Sequence, residues 1–213
     1  MTDSTAAARV DHIVTSGTFS LDGGTWEVDN NVWLMRDDAE CIVIDAPHDA
    51  AAIQRAIGGR RLLAIICTHA HDDHVNVAPV LADATGAPIW LHPDDRVLWD
   101  MTHPGRGPDA PLVDGQDIAV AGTTLTVLHT PGHAPGCVSV YAPELGVVFS
   151  GDTLFSGGPG ATGRSYSDYD TTTASIRNRL LMLPPGIVVH TGHGPDTTIG
   201  AEAAGAGGWT KHD

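Results

Sequence analysis

Short apolar runs broken by Gly, Pro and Asp fill most of the chain, and each is brief enough to be a strand or a short helix. Residues 31–35 and 41–44 read as two strands joined by a polar turn at 36–40. Ala50–Ile57 reads as a helix stopped by Gly58 and Gly59. Residues 62–67 form a continuous apolar run, the pattern of a buried strand. A helix over 75–84 is expected to stop at Gly86 and Pro88. A short strand at 88–91 and a helical turn or two over 94–100 follow. Residues 101–114, rich in Pro, Gly and Asp, are expected as a loop.

The second half alternates faster. Residues 118–120, 124–128, 138–141 and 147–149 are separated by Gly- or Pro-containing turns, in the manner of antiparallel strands. A Gly-rich loop at 156–167 precedes a helix over 171–182, and 187–190 is the last strand. The Ala/Gly-rich tail from Ala201 is expected as a frayed end or a short helix. Strands and helices are mixed, with antiparallel runs in both halves and no repeat of fixed period. The pattern predicts two sheets with helices packed outside them, in one domain over residues 1–213.

Composition narrows the function. The net charge of -15 argues against nucleic acid as a partner, because phosphate contacts need a basic patch. Lys211 is the sole lysine, so there is no polybasic membrane segment, and the run 62–67 is far too short to span a bilayer. Residues 1–10 are polar and Ala-rich, without the basic start and apolar core of a signal peptide, so a cytoplasmic protein is expected. Cys41, Cys67 and Cys137 are odd in number and show no CxxC pair, as expected of buried inert thiols.

The chemistry sits where apolar runs end. The run 62–67 leads into Thr68-His69-Ala70-His71-Asp72-Asp73-His74. Residues two apart in extended chain point the same way, so His69 and His71 can share one metal, and a helix starting near Asp73 and His74 turns those two toward a second point close by. Imidazole and carboxylate suit zinc. Three more clusters share this logic: Thr130-Pro131-Gly132-His133, Ser150-Gly151-Asp152-Thr153 and Thr191-Gly192-His193-Gly194-Pro195. Each places one ligand-type side chain at a strand end beside a glycine that permits a tight turn.

The motifs THAHDDH, TPGHAPGC, GDTLF and TGHGP resemble the successive metal-binding motifs of the metallo-β-lactamase superfamily, nearest its glyoxalase II-like hydrolases. The resemblance covers about residues 31–195 and implies an αββα sandwich with metal at one edge of the two sheets. It implies that His69, His71 and His133 hold one divalent ion, that Asp73, His74 and His193 hold a second, and that Asp152 bridges them. Zinc is the foremost ion, with iron or manganese as alternatives. A hydroxide held between two such ions would attack a carbonyl carbon, with Asp73 as the catalytic carboxylate that orients it or takes its proton. Asp45 matches a family position that orients histidine N–H groups.

Full-length glyoxalase II enzymes add a helical domain that supplies basic residues for glutathione, and this chain ends soon after its last ligand. The expected substrate is therefore small and held by loops 17–26 and 101–114, with Arg164 as anchor, Tyr166 beside it and Trp26 as cover. A homodimer supplying a pocket wall is compatible with this reading. The implied activity is hydrolysis of a small thioester, an acylated low-molecular-weight thiol such as glutathione or mycothiol. Hydrolysis of a lactone or other ester or amide is the first alternative. Persulfide dioxygenation on one iron held by His69, His133 and Asp152 is the second. His12, His48, His92, His103 and His212 lack motif context and are read as non-ligands, while His129 and His190 are expected to point away from the site. Asp72 reads as a helix N-terminal charge and Cys137 as packing.

Overall fold

The computed structural model describes residues 7–211, so His212 lies outside the described residues. In chain order it contains β1 (Arg9–Leu21), β2 (Gly24–Arg36), β3 (Glu40–Ile44), α1 (Ala50–Ile57), β4 (Arg61–Ile66), α2 (Asp72–Val75), α3 (Ala78–Thr85), β5 (Ile89–Leu91), α4 (Arg96–Thr102) and β6 (Ala110–Pro111). There follow β7 (Asp117–Val120), β8 (Thr123–His129), β9 (Val138–Ala142), β10 (Val147–Gly151), β11 (Leu154–Phe155), β12 (Gly158–Pro159), α5 (Tyr169–Ser175), β13 (Val188–Thr191), β14 (Thr197–Thr198) and α6 (Ile199–Gly205).

Two six-stranded sheets carry the architecture, ordered β1-β2-β3-β4-β5-β6 and β14-β13-β10-β9-β8-β7. Strands β3 to β6 are mutually parallel, whereas β7 to β10 form an antiparallel meander with β13 added parallel to β10. Side-chain alternation sorts the core into layers. Val32 and Leu34 of β2, Val43 of β3 and Ile65 of β4 pack outward with Ile53 of α1, Leu81 of α3 and Trp99 of α4. Their neighbours Trp33, Met35, Ile42, Ile44 and Ile66 face the other way, onto Leu125, Val127, Val140 and Phe149 of the second sheet. Behind that sheet, Val148 and Val189 meet Ile176, Leu180 and Ile199. The result is the expected αββα sandwich. Each fully buried aliphatic side chain contributes roughly 1.5–3 kcal/mol of transfer free energy.

Four departures from the sequence reading have physical causes. Strand β1 carries no predictive signal, because most of it is half-buried or exposed and shows no clean alternation. Residues 17–26, expected as a loop, are the arms of the β1–β2 hairpin, which turns at Asp22 and Gly23 with φ of 54° and 79°. The helix expected over 75–84 is split into α2 and α3: Pro79 lacks an N–H and its ring would clash with the Val75 carbonyl in a continuous helix. Residues 101–114 include the end of α4 and the strand β6, which pairs with β5 on the far side of the sheet from the hairpin edge. Among the described residues, no helix is long and apolar enough to cross a membrane.

Candidate metal centre

Strands β3 and β4 run parallel in one sheet, and β8, β10 and β13 run parallel to one another in the other. Their C-terminal ends deliver Asp45, His69, His71, Asp73, His74, His133, Asp152 and His193 to one edge of the sandwich. Close approach there depends on glycine. A Cβ at Gly192 would stand 2.1 Å from Asp152 Oδ1, and Gly151 turns the chain with φ of 49° where a Cβ would meet Thr68 Oγ1 at 2.5 Å.

Three groups of side chains offer ligand atoms within 4.8 Å of one another: His69, His71 and His133; His69, His74 and Asp152; and Asp73, His74 and His193. His71 Nδ1 lies 3.1 Å from both His69 Nε2 and His133 Nε2. His74 Nε2 lies 3.2 Å from His193 Nε2, and Asp73 Oδ2 lies 3.3 Å from His193 Nε2. Asp152 sits between the groups, with one oxygen 3.4 Å from His74 and the other 3.6 Å from His133 and 3.4 Å from His193.

The outward nitrogens decide what faces inward. His133 Nδ1 donates to the Ala161 carbonyl at 2.8 Å, and His193 Nδ1 donates to the Asp29 carbonyl at 2.7 Å. His74 Nδ1 donates to Asp45 Oδ2 at 2.8 Å. Thr68 Oγ1 gives its proton to Asp45 Oδ2 at 2.8 Å, so it accepts from His69 Nδ1 at 3.1 Å. Each of these four rings therefore points its Nε2 into the cluster, where it offers a lone pair whenever that nitrogen is unprotonated. Converging lone pairs repel unless a proton or a cation lies among them, and the buried Asp152 Oδ1 has no hydrogen-bond donor of its own. Imidazole and carboxylate donors so arranged fit a divalent transition metal. Asp45 is the support: 2% exposed, held at φ of 61°, it also accepts the Thr68 backbone N–H at 2.7 Å.

The ion-free cluster is electrostatically divided. Burial, with neighbouring imidazoles, pushes His71 down to about 3 and lowers His69 and His133. Burial also opposes charge on His193, but the Asp152 and Asp73 carboxylates outweigh it and raise its pKa to about 10. Asp152, Asp73 and Asp45 likewise outweigh burial at His74 and raise it well above the ordinary histidine value. Asp73 is held at about 2, since His74, His193 and Asn30 overcome the burial that would raise it. The carboxylates around His74 and His193 thus favour positive charge at the place that a cation would take.

A cavity of about 440 Å³ opens onto these residues, walled by Phe19, Trp26, Val28, Phe155 and Ala161. Arg164 lies on its wall, with the guanidinium 3.6 Å from the Trp26 ring centroid and 5.3 Å from that of Phe19. The hairpin tip is tied to the same loop, since Ser165 N donates to Asp22 Oδ2 at 2.9 Å. Tyr166 is not on the cavity wall: a φ of 70° swings it outward, where it is 44% exposed. No residue of 101–114 lines the cavity; that segment is bound to α4 instead, through Trp99 Nε1 donating to the Arg106 carbonyl.

Other histidines lie outside the cluster. His190 stacks on Trp33 at 4.1 Å, and His103 bonds the Val75 carbonyl. His92, Asp94 and His129 also approach one another, but the two rings stack at 4.0 Å and 11°, so their lone pairs do not converge. The sequence reading missed Asn30, Asp95, Phe19 and Phe155. Asp95 is fully buried and accepts N–H groups from Ala70 and Gly136, tying the His69–His71 loop to the His133 loop. Burial raises its carboxyl to about 6. A lone Asn or Asp inside a polar stretch gives no signal of such partners.

Comparisons with known proteins identify the family. The metallo-beta-lactamase superfamily pattern matches residues 25–193. The Probable metallo-hydrolase YqgX of Bacillus subtilis is 33% identical, over 79% of this chain and 87% of that protein. The Hydroxyacylglutathione hydrolase GloC of Haemophilus influenzae is 33% identical, over 78% of this chain and 85% of its own length. Among solved structures, TTHA1623 in a di-iron-bound form superposes with a TM-score of 0.73 at 35% identity, covering 89% of this chain and 96% of that one. The chain belongs to the metallo-β-lactamase superfamily and is a metal-dependent hydrolase.

Proposed function

We propose that the protein is a two-ion hydrolase that cleaves a small thioester, an S-acyl derivative of a low-molecular-weight thiol such as glutathione or mycothiol. The observation that carries the reading is the convergence of seven side chains with metal-ligand atoms on the floor of a cavity of about 440 Å³ with one cation on its wall. His69, His71 and His133 would hold one ion and Asp73, His74 and His193 the other, with Asp152 shared. Zinc suits the donors best, and iron or manganese suits them too. Divalent ions there supply Lewis acidity toward a carbonyl oxygen and lower the pKa of bound water toward ~7.

The chain's own residues do the rest. Phe19, Trp26, Val28 and Phe155 cover the acyl and thiol carbon chains and exclude water. Arg164 offers N–H groups to an anionic end of the substrate, in a chain whose net charge is otherwise strongly negative. Asp73, whose carboxyl is held low by His74, His193 and Asn30, orients the attacking water or takes its proton. The relative named hydroxyacylglutathione hydrolase supports a thioester substrate, and the di-iron form of the structural relative supports two ions. On this reading the setting is cytoplasmic, where such thiols are abundant.

A substrate panel tests it. Purified protein loaded with zinc, iron or manganese is assayed on S-acyl-glutathione, S-acyl-mycothiol, lactones and simple esters. Oxygen uptake is followed in parallel with glutathione persulfide. The expected result is a kcat/KM for a thioester well above that for any lactone. Faster lactone turnover, or oxygen uptake with persulfide, would overturn the proposal.

A further inference from the structure

The carboxylate of Asp73 is not held by the cluster alone. Asn30 is fully buried, and its Nδ2 lies 3.0 Å from Asp73 Oδ2, 3.3 Å from His74 Nε2 and 3.4 Å from His193 Nε2. Its Oδ1 lies 2.8 Å from His48 Nε2, and His48 Nδ1 lies 3.1 Å from Asn76 Nδ2. The direction of this chain of bonds is set at its far end. The His48 backbone N–H donates to Asn76 Oδ1 at 2.7 Å, so the other face of that amide, Nδ2, must be the one at the imidazole. His48 Nδ1 is then an acceptor and Nε2 carries the proton. Asn30 must present its oxygen to His48 and its N–H to Asp73. Burial favours the neutral ring that this requires. Gly17 of β1 makes room for it, since a Cβ there would stand 2.2 Å from His48 Nδ1.

We propose that Asn30, oriented through His48 by Asn76, is a positioning residue for the second ion. Its N–H fixes the rotation of the Asp73 carboxylate, and its amide nitrogen, having no lone pair to give a cation, closes the far side of the Asp73–His74–His193 group. Were the amide reversed, two oxygens would face each other at 3.0 Å and Asp73 would turn away. The inference rests on the two-ion reading, but not on any particular substrate.

The test reads ion binding rather than turnover. Ion content and chelator competition are measured for the wild type, Asn30→Ala, His48→Asn and His48→Gln, with a thermal melt of each. Asn tolerates the left-handed φ of 57° at position 48 but is too short to reach Asn30, so His48→Asn removes the bond without backbone strain. The second ion should be released about 10–100-fold more readily in Asn30→Ala and His48→Asn, with the first ion unchanged. His48→Gln, which keeps a donor, should recover part of the affinity. If Asn30→Ala fails to fold, His48→Asn decides. A second ion held as in the wild type by His48→Asn, or equal loss of both ions, overturns the proposal alone. A wild type that binds only one ion overturns the two-ion reading and the proposal with it.

Discussion

The imidazole trio of His69, His71 and His133 lies beside the mixed set of Asp73, His74 and His193, and the two hold charge in opposite ways. The trio is deeply buried, and at His71 burial and the neighbouring His133 ring outweigh the pull of Asp73 and Asp152, which favours neutral rings. The mixed set is partly open, with the His193 side chain 24% exposed, and is crowded by carboxylates that draw positive charge onto it. One half is preorganised by exclusion of charge, the other by attraction of it. A cation entering the trio displaces little, whereas one entering the mixed set competes with protons that the carboxylates favour there.

The largest effect expected from this contrast is at Asp73. Asp73→Asn removes the one carboxylate private to the mixed set, and kcat/KM should fall on the order of 10³-fold, with the melt preserved. Near-wild-type turnover with full ion content would show that the carboxylate has no part in the chemistry.

The pH dependence of the ion-free protein tests the same contrast. His71 has its folded pKa depressed to about 3, so between there and the ordinary value of ~6.5 the folded state binds fewer protons than the unfolded one. Its contribution is present above ~6.5 and is lost as pH falls toward 3. His193 has its folded pKa raised to about 10, so its contribution is present below ~6.5 and is lost as pH rises through 10. Asp95, raised to about 6, favours the folded state most at low pH and softens the acid limb. Tm should therefore peak near neutrality and fall toward both acid and alkaline pH. His193→Gln should shrink the alkaline limb, to which His74 also contributes, and should shift the acid limb as well, because Asp73 and Asp152 lose a partner that holds their carboxyls low. A profile unaltered by that change would mean that the mixed set does not gather protons.

Smaller effects belong to the cavity wall. Arg164→Ala should raise KM for an anionic thioester about tenfold and change kcat less, because a remote anchor supplies mostly uniform binding. An early melt with joint loss of kcat and metal would instead make Arg164 structural, and unchanged constants would remove its loop from the substrate site. Asp22→Ala cuts the exposed tie between the hairpin tip and Ser165, and a change in KM of roughly twofold or less is expected. A tenfold change measured there would mean that the hairpin governs access more than the aromatic wall does.

The sequence alone determined the elements whose periodicity was strong and the ligand types at strand ends. Runs such as 62–67 alternate or bury so completely that burial dictates their conformation, and His or Asp beside Gly at their ends stands out against an apolar background. It did not determine β1, whose pattern is blurred by half exposure, or the split between α2 and α3, which turns on one proline ring. Nor did it reveal Asn30, His48 and Asp95, because their roles depend on partners 43, 28 and 41 residues away along the chain. Those partners meet only when two sheets bring separate strand ends to one edge. Only there do hydrogen bonds across the sandwich choose which nitrogen of each ring carries a proton and which turns its lone pair to the centre.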